Sequence, residues 1–473
     1  MEAWAALGPR FLPFADAATP DLPLSRLLRL SLFQVSVGMA LVLLIGTLNR
    51  VMIVELGVSA SLVAIVLSLP LLFAPFRALI GFRSDTHRSA LGWKRVPFIW
   101  KGTLIQFGGL AIMPFALLVL ARQGNAAHAP AWIGQFGAAV AFLLVGAGLH
   151  TTQTVGLALA TDLAPAESRP KVVGLMYVML LVGMIISAFV FGGMLADFSH
   201  LRLVKVIQGA AVATIVLNSI ALWKQETRRP GRFQAEPDPQ PTTFGDAWNT
   251  FAGASNAVRR LIAVGLGTMA FSMEDVLLEP YGGQVLHLTV GSTTKLTATL
   301  AIGGLFGFGL AARVLSRGFD PFRMASLGAM VGIPAFLLVI LAAPYGQPVM
   351  FALGTLLIGF GGGLFGHGTL TATMNLAPES QTGLALGAWG AVQASAAGIA
   401  VALGGILRDL VAGFASHDAF GAALSGPATG YMFVYALEIG LMIATILTMV
   451  PLLRRDAVAP VEEYSDTAWW AVR

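Results

Sequence analysis

Twelve stretches of about 20 mostly apolar residues constrain this chain more than any other feature. They run near 31–54, 58–80, 98–121, 131–161, 172–196, 204–223, 261–281, 294–312, 324–343, 349–375, 383–407 and 430–450. Inside a bilayer every backbone N–H and C=O must be bonded within the protein, so only helices and closed barrels can cross. Barrel strands are about ten residues long and alternate apolar with polar. The stretches here are longer and continuous, which predicts an all-α integral membrane protein of 12 transmembrane helices. Composition agrees. Charged residues make up 11% of the chain and hydrophobic residues 56%, with a mean hydropathy of +0.78. So few charges cannot cover a soluble surface. A cytosolic enzyme, a disordered chain and a soluble binding module are excluded. With 0 cysteines, so are a disulfide framework, a thiolate zinc site and a redox thiol.

Lysine and arginine orient the helices. If the N-terminus is cytoplasmic, 23 of the 29 basic residues fall on that side. The other 6 are Arg50, Arg122, Arg202, Lys205, Lys295 and Arg408. The asymmetry predicts both termini in the cytoplasm. The net charge of +5 then belongs to cytoplasmic loops and predicts no nucleic-acid partner. Glu2, Asp16 and Asp21 interrupt any signal-peptide pattern, so no cleaved leader is expected.

The chain reads as two halves, 1–223 and 259–473, joined by a hydrophilic cytoplasmic linker at 224–258. Pro230, Pro237, Pro239 and Pro241 mark the linker. Phe244, Trp248 and Phe251 within it suit a short helix, either lying on the membrane surface or solvated. Asp162-Leu163-Ala164-Pro165 after helix 4 matches Asn375-Leu376-Ala377-Pro378 after helix 10. Each match is followed by Glu-Ser, and later by Gly192-Gly193-Met194-Leu195-Ala196-Asp197 or Gly404-Gly405-Ile406-Leu407-Arg408-Asp409. Both walks, Glu167 to Gly192 and Glu379 to Gly404, have the same length. Six plus six helices in parallel duplication is the architecture of the major facilitator superfamily, two pseudo-symmetric six-helix bundles. The loop between helices 2 and 3 resembles that superfamily's cytoplasmic latch motif: Gly81, then Asp85, then Arg88, Lys94 and Arg95. Glycine allows close helix approach, and the acid can cap a helix or pair with arginine.

Three blocks carry a closer resemblance. They are Phe11-Leu12-Pro13-Phe14-Ala15-Asp16-Ala17-Ala18-Thr19, the run from Gly46 to Leu56, and the segment from Ala74 to Pro97. In these the chain resembles the PucC/LhaA family of purple phototrophic bacteria, also called bacteriochlorophyll delivery proteins. The resemblance implies an assembly factor for light-harvesting antennae in the intracytoplasmic photosynthetic membrane. Its implied cargo is bacteriochlorophyll, and its implied partners are antenna polypeptides and the surrounding lipid bilayer. It brings no catalytic motif.

Polar residues within spans are costly and therefore informative. By analogy with the fold, helices 1, 4, 7 and 10 line the central cavity. Helix 1 carries Asn49, Arg50 and Glu55, and helix 7 carries Glu274, Asp275 and Glu279. Arg50 with Glu274 or Asp275 is expected to form an ion pair across the halves, closing the outer end. The alternatives are a proton-coupling carboxylate and residues reaching the headgroups. His150 and His367 are the histidines inside predicted spans. Imidazole is a good axial ligand for a chlorin magnesium, so His150, His367 and the neighbouring Gln153 are candidate pigment-binding residues; hydrogen-bonded packing between helices is the plainer reading. Gly361 to Gly366 fits the dinucleotide pattern G-x-G-x-x-G, but no strand precedes it, so it is not a nucleotide site. Gly359 with Gly363, and Gly362 with Gly366, suit close helix packing. No catalytic residue and no metal set is expected. Three functions remain open: an antenna assembly factor, a secondary transporter of an amphiphilic or ion-coupled solute, and, least supported, an enzyme of pigment synthesis.

Overall fold

A computed structural model describes residues 18–20, 22–70, 76–77, 80, 84, 92–121, 130–165, 168–226, 256–315, 317–374, 382–417, 421 and 425–455. Among these residues the helices group into twelve segments in chain order. The first six are α1 (Leu24–Glu55), α2 (Ala60–Ser68), α3 (Val96–Leu120), α4 (Ala131–Leu163), α5 (Arg169–Met194) and α6 (His200–Leu222). The second six are α7 (Ala257–Gln284), α8 (Val290–Leu315), α9 (Pro321–Tyr345), α10 (Pro348–Met374), α11 (Thr382–Ala415) and α12 (Ala428–Arg455). Eleven are long and apolar enough to span a membrane; α2 is described over its first turns. Their outer faces carry Phe115, Phe136, Phe189 and Phe306, all exposed. Helices apolar on every side place one face in protein and the other in lipid.

Which helices touch repeats with an offset of six. Within the halves, α1 packs on α5 as α7 packs on α11, α3 on α4 as α9 on α10, and α3 on α6 as α9 on α12. Between the halves, α2 meets α11 and α8 meets α5. This is the two-fold architecture expected of the duplicated sequence.

Glycine sets the inter-half seams. A side chain at Gly192 of α5 would meet Gly291 O at 2.9 Å, and one at Gly405 of α11 would meet Ala60 O at 2.7 Å. The matched Gly-Gly-x-Leu-x-Asp runs therefore sit where opposite halves cross. Each half uses a different glycine of its pair: nothing lies within 4 Å of a side chain at Gly193, whereas Gly404 faces Met273 O at 2.9 Å. The aspartates diverge as well. Asp409 accepts from Ser61 N (2.7 Å) and Ser61 Oγ (2.6 Å), fastening α11 to the start of α2. Asp197 stays in its own half and pairs with Arg202 at 3.1 Å.

The two central helices are irregular. In α1, 83% of the most apolar window is buried, against 28% in α12, so α1 is a core element rather than a lipid-facing one. It widens into π-helical turns at Val42–Leu48 and Val51–Glu55. Helix α7 breaks after Ala270, passes through a 3-10 turn at Glu274–Val276 and resumes at Leu278–Gln284.

Candidate functional site

The break in α7 exposes backbone groups that lipid cannot satisfy, so neighbouring side chains must. Glu438 of α12 accepts from Glu274 N at 2.7 Å. Asn49 of α1 donates Nδ2 to Val276 O at 3.0 Å and to Asp275 O at 3.4 Å. Glu279 accepts a hydrogen bond from Thr297 Oγ1 of α8. One oxygen each of Glu274, Glu279 and Glu438, together with Asn49 Oδ1, is buried without a partner. A cavity of about 80 Å³ adjoins Gly46, Glu274, Asp275, Glu279 and Thr297. This junction is acceptor-rich.

The expected pairing of Arg50 with Glu274 or Asp275 is not formed. Arg50 instead pairs with Glu55 of its own helix, and its Nη2 donates to Leu288 O at 3.2 Å. The π-helical turn is the physical reason. Its bonds run from i to i+5, which brings residues five apart onto one face. Sequence reasoning that assumes an α-helix puts Glu55 elsewhere. Helices α1 and α7 do meet at this depth, but through Asn49 and the α7 backbone.

A second polar zone lies in the first half. Arg77 donates Nε to Thr154 Oγ1 at 2.9 Å and Nη2 to Gln153 Oε1 at 3.2 Å. Gln153 Nε2 reaches Gln34 Oε1 of α1 at 3.5 Å. His150 is buried beside Arg77, and its Nδ1 has no hydrogen-bond partner. In the other half His367 packs edge-on against Phe308, with ring centroids 4.3 Å apart, and its Nδ1 is likewise unpartnered. Phe308 meets Tyr177 of α5 at 6.3 Å, and Tyr177 lies beside Arg77. Ring contacts thus run from Tyr177 through Phe308 to His367, crossing the α5–α8 seam, with Arg77 in electrostatic range of both Tyr177 and His150. Gln153, expected to touch pigment, has its carbonyl engaged by Arg77.

Of the latch residues, Gly81, Asp85 and Arg88 lie outside the described residues. Arg95 is buried and bonds Asp162 Oδ2 at 2.9 Å and Ser84 Oγ at 2.5 Å. Lys94 contributes its backbone: its N–H donates to Glu226 Oε1 at 2.6 Å. The same carboxylate accepts from Arg95 N and Val96 N, each at 3.0 Å to Oε2. Glu226, just beyond α6, therefore caps α3, where α-helix N–H groups are otherwise orphaned. Asn375, the repeat mate of Asp162, lies outside the described residues, as do Phe244, Trp248 and Phe251. Among the described residues no group of three or more His, Cys, Asp or Glu is arranged to hold a metal ion.

Sequence reasoning missed the roles of Gln34, Arg77, Glu226 and Glu438. Glu438 left a signal, a lone acid within an apolar run. Arg77 left one too, a cation at the end of the second span. Glu226 left none, because its partners lie about 130 residues earlier.

Two repeated six-helix halves, with polar groups gathered where they meet, define a polytopic membrane protein of the major facilitator type. The chain belongs to the PUCC protein family, whose model matches residues 47–457. It is 66% identical over 409 residues to Protein PucC of Rhodovulum sulfidophilum, covering 86% of this chain and 90% of that protein. It is 60% identical to Protein PucC of Cereibacter sphaeroides, covering 96% and 97%. A more distant relative, 27% identical, is the bacteriochlorophyll synthase 44.5 kDa chain of Rhodobacter capsulatus, with 90% and 97% covered. Among solved structures, the nucleoside transporter NupG superposes with a TM-score of 0.62 at 14% identity, covering 90% of this chain and 100% of that one. A bacterial homologue of the iron transporter ferroportin gives 0.63 at 14% identity, covering 90% and 98%. At such identity the structures speak to fold alone.

Proposed function

We propose that this protein is an assembly factor for light-harvesting antenna complexes, which binds bacteriochlorophyll between its halves and delivers it to antenna polypeptides. The observation that carries the reading is the pair of histidines His150 and His367. Each is in a spanning helix, each has an uncommitted Nδ1, and ring contacts from His367 through Phe308 to Tyr177 cross the seam toward the half that holds His150. A histidine buried without a hydrogen bond wastes its polar atom, which favours a ligand over packing. A magnesium–imidazole bond suits such a dry site. Family membership supports the setting, and the name of the Rhodobacter capsulatus relative includes bacteriochlorophyll. The membrane in question is the bacterial photosynthetic membrane, with both termini cytoplasmic.

The test compares His150→Leu with His367→Leu. Wild-type protein, purified gently, is expected to show near-stoichiometric bacteriochlorophyll in its absorption spectrum. At least one variant is expected to lose it and to lower antenna absorbance in cells. If both fold, keep pigment and support normal antennae, the histidines are structural.

A transporter of an amphiphilic or ion-coupled solute is the second reading. The acceptor-rich junction around Glu274, Glu279 and Glu438 favours it, because transporters gather acids where their halves meet. A pigment-free spectrum from active protein would shift the balance to it.

A further inference from the structure

The arginines within the membrane-spanning bundle are not treated alike. Arg50 holds Glu55, Arg95 holds Asp162 and Arg408 holds Asp409. Among the described residues, Arg77 meets no carboxylate. Its hydrogen bonds go to the neutral oxygens of Thr154 and Gln153, and the rest of its guanidinium fork is unused. The residue as a whole is only partly buried. A partly buried cation without a counter-ion at the end of a spanning helix is costly, and polar residues so placed mark ligand pathways.

The surroundings point the same way. Gln34 is fully buried, and its Nε2 donor has no partner. His150 Nδ1 beside Arg77 is also unsatisfied. Tyr177 is the other ionisable neighbour. The site therefore holds one unpaired cation, one orphan amide donor and an imidazole, with acceptors already engaged. That surplus is the inverse of the α7 junction, where the orphan groups are acceptors. Phe308 and Tyr177 flank it with apolar ring surface.

We propose that Arg77, with Gln34, is a binding site for the oxyanion head of an amphiphile, whose apolar body lies along Tyr177 and Phe308. A bidentate guanidinium–carboxylate contact supplies the missing counter-charge and uses the fork that protein groups leave empty. The apolar body rests on the pigment reading: the amphiphile is a bacteriochlorin with a free propionate, the unesterified counterpart of bacteriochlorophyll, whose own propionate is an ester. An anionic lipid shares the same head-group chemistry and is the other source to be distinguished.

The experiment uses the full-length protein in nanodiscs. Bacteriopheophorbide a and its methyl ester serve as probes, in phosphatidylcholine with and without phosphatidylglycerol. Both probes lack magnesium, so histidine ligation does not enter, and failure here is separable from failure of the histidine test. In phosphatidylcholine the free acid is expected to bind at least about tenfold more tightly than the ester. Arg77→Gln should abolish that preference while keeping the ester's affinity; Arg77→Lys should keep part of it. Retained ester binding reports that the variant is folded. If phosphatidylglycerol displaces the free acid from wild type but not from Arg77→Gln, the site exists and lipid is its occupant. Equal affinity of wild type for acid and ester, with no effect of phosphatidylglycerol, overturns the proposal. So does a preference that survives in Arg77→Gln.

Discussion

Glu438 illustrates how one side chain secures an irregular backbone. It is fully buried, and one oxygen accepts from Glu274 N where α7 is no longer helical. Removing the acceptor leaves a buried N–H with nothing to bond, at a cost of about 1–3 kcal/mol. Glu438→Ala is therefore expected to lower the thermal unfolding midpoint in detergent. Glu438→Gln keeps a carbonyl oxygen at the same place and should lose much less. Equal losses in both variants would mean that charge, not the acceptor, matters. Asn49 plays the same part from α1, and Asn49→Ala should behave like Glu438→Ala.

At the level of helices, two features decide packing. The first is the glycine seam between α8 and α10. A side chain at Gly359 would run into Leu300 O, and one at Gly363 would meet Gly304 O at 2.6 Å. Gly366, on another face of α10, has nothing within 4 Å. Gly359→Val should destabilise by about 1–3 kcal/mol through overpacking, whereas Gly366→Val should be close to neutral. A paired unfolding measurement checks both. Of the two glycine pairs visible in the sequence, only Gly359 and Gly363 form this seam. The second feature is the cap that Glu226 places on α3. Glu226→Ala frees three backbone N–H groups at once, at Lys94, Arg95 and Val96. Cap losses usually cost about 1 kcal/mol. Hydrogen exchange should speed up in the first turn of α3 and not at its far end.

For the whole molecule, the clamp between halves is the telling contact. Asp409 fastens α11 to Ser61 at the start of α2, and Arg408 beside it bonds Gln284 at 2.6 Å and Tyr431 at 3.2 Å. Because the chain has 0 cysteines, spin labels can be placed at will. Labels at Asp197 and His417, both exposed, report the separation of the halves at this end. Asp409→Ala should broaden that distance distribution toward longer values. An unchanged distribution would show that the glycine seams alone hold the end shut.

Much of this architecture could be read directly from the amino acids. Helix number, the two-half duplication and the membrane setting follow from apolar length, repeat spacing and composition. These are local or periodic properties, and the bilayer enforces them on any chain of this kind. The positions of polar groups within spans were equally visible, because each is costly and stands out. Their partners were not. Arg50 turned to Glu55 because α1 widens into π turns, which no residue pattern announced. Glu438 reached Glu274 because α12 lies against the break in α7, 164 residues earlier in the chain. The same tertiary approach left Arg77 near His150 with no acid to hold among the described residues. Which charge meets which depends on helix rotation and depth, and those are settled by packing summed over the whole bundle rather than by any segment alone.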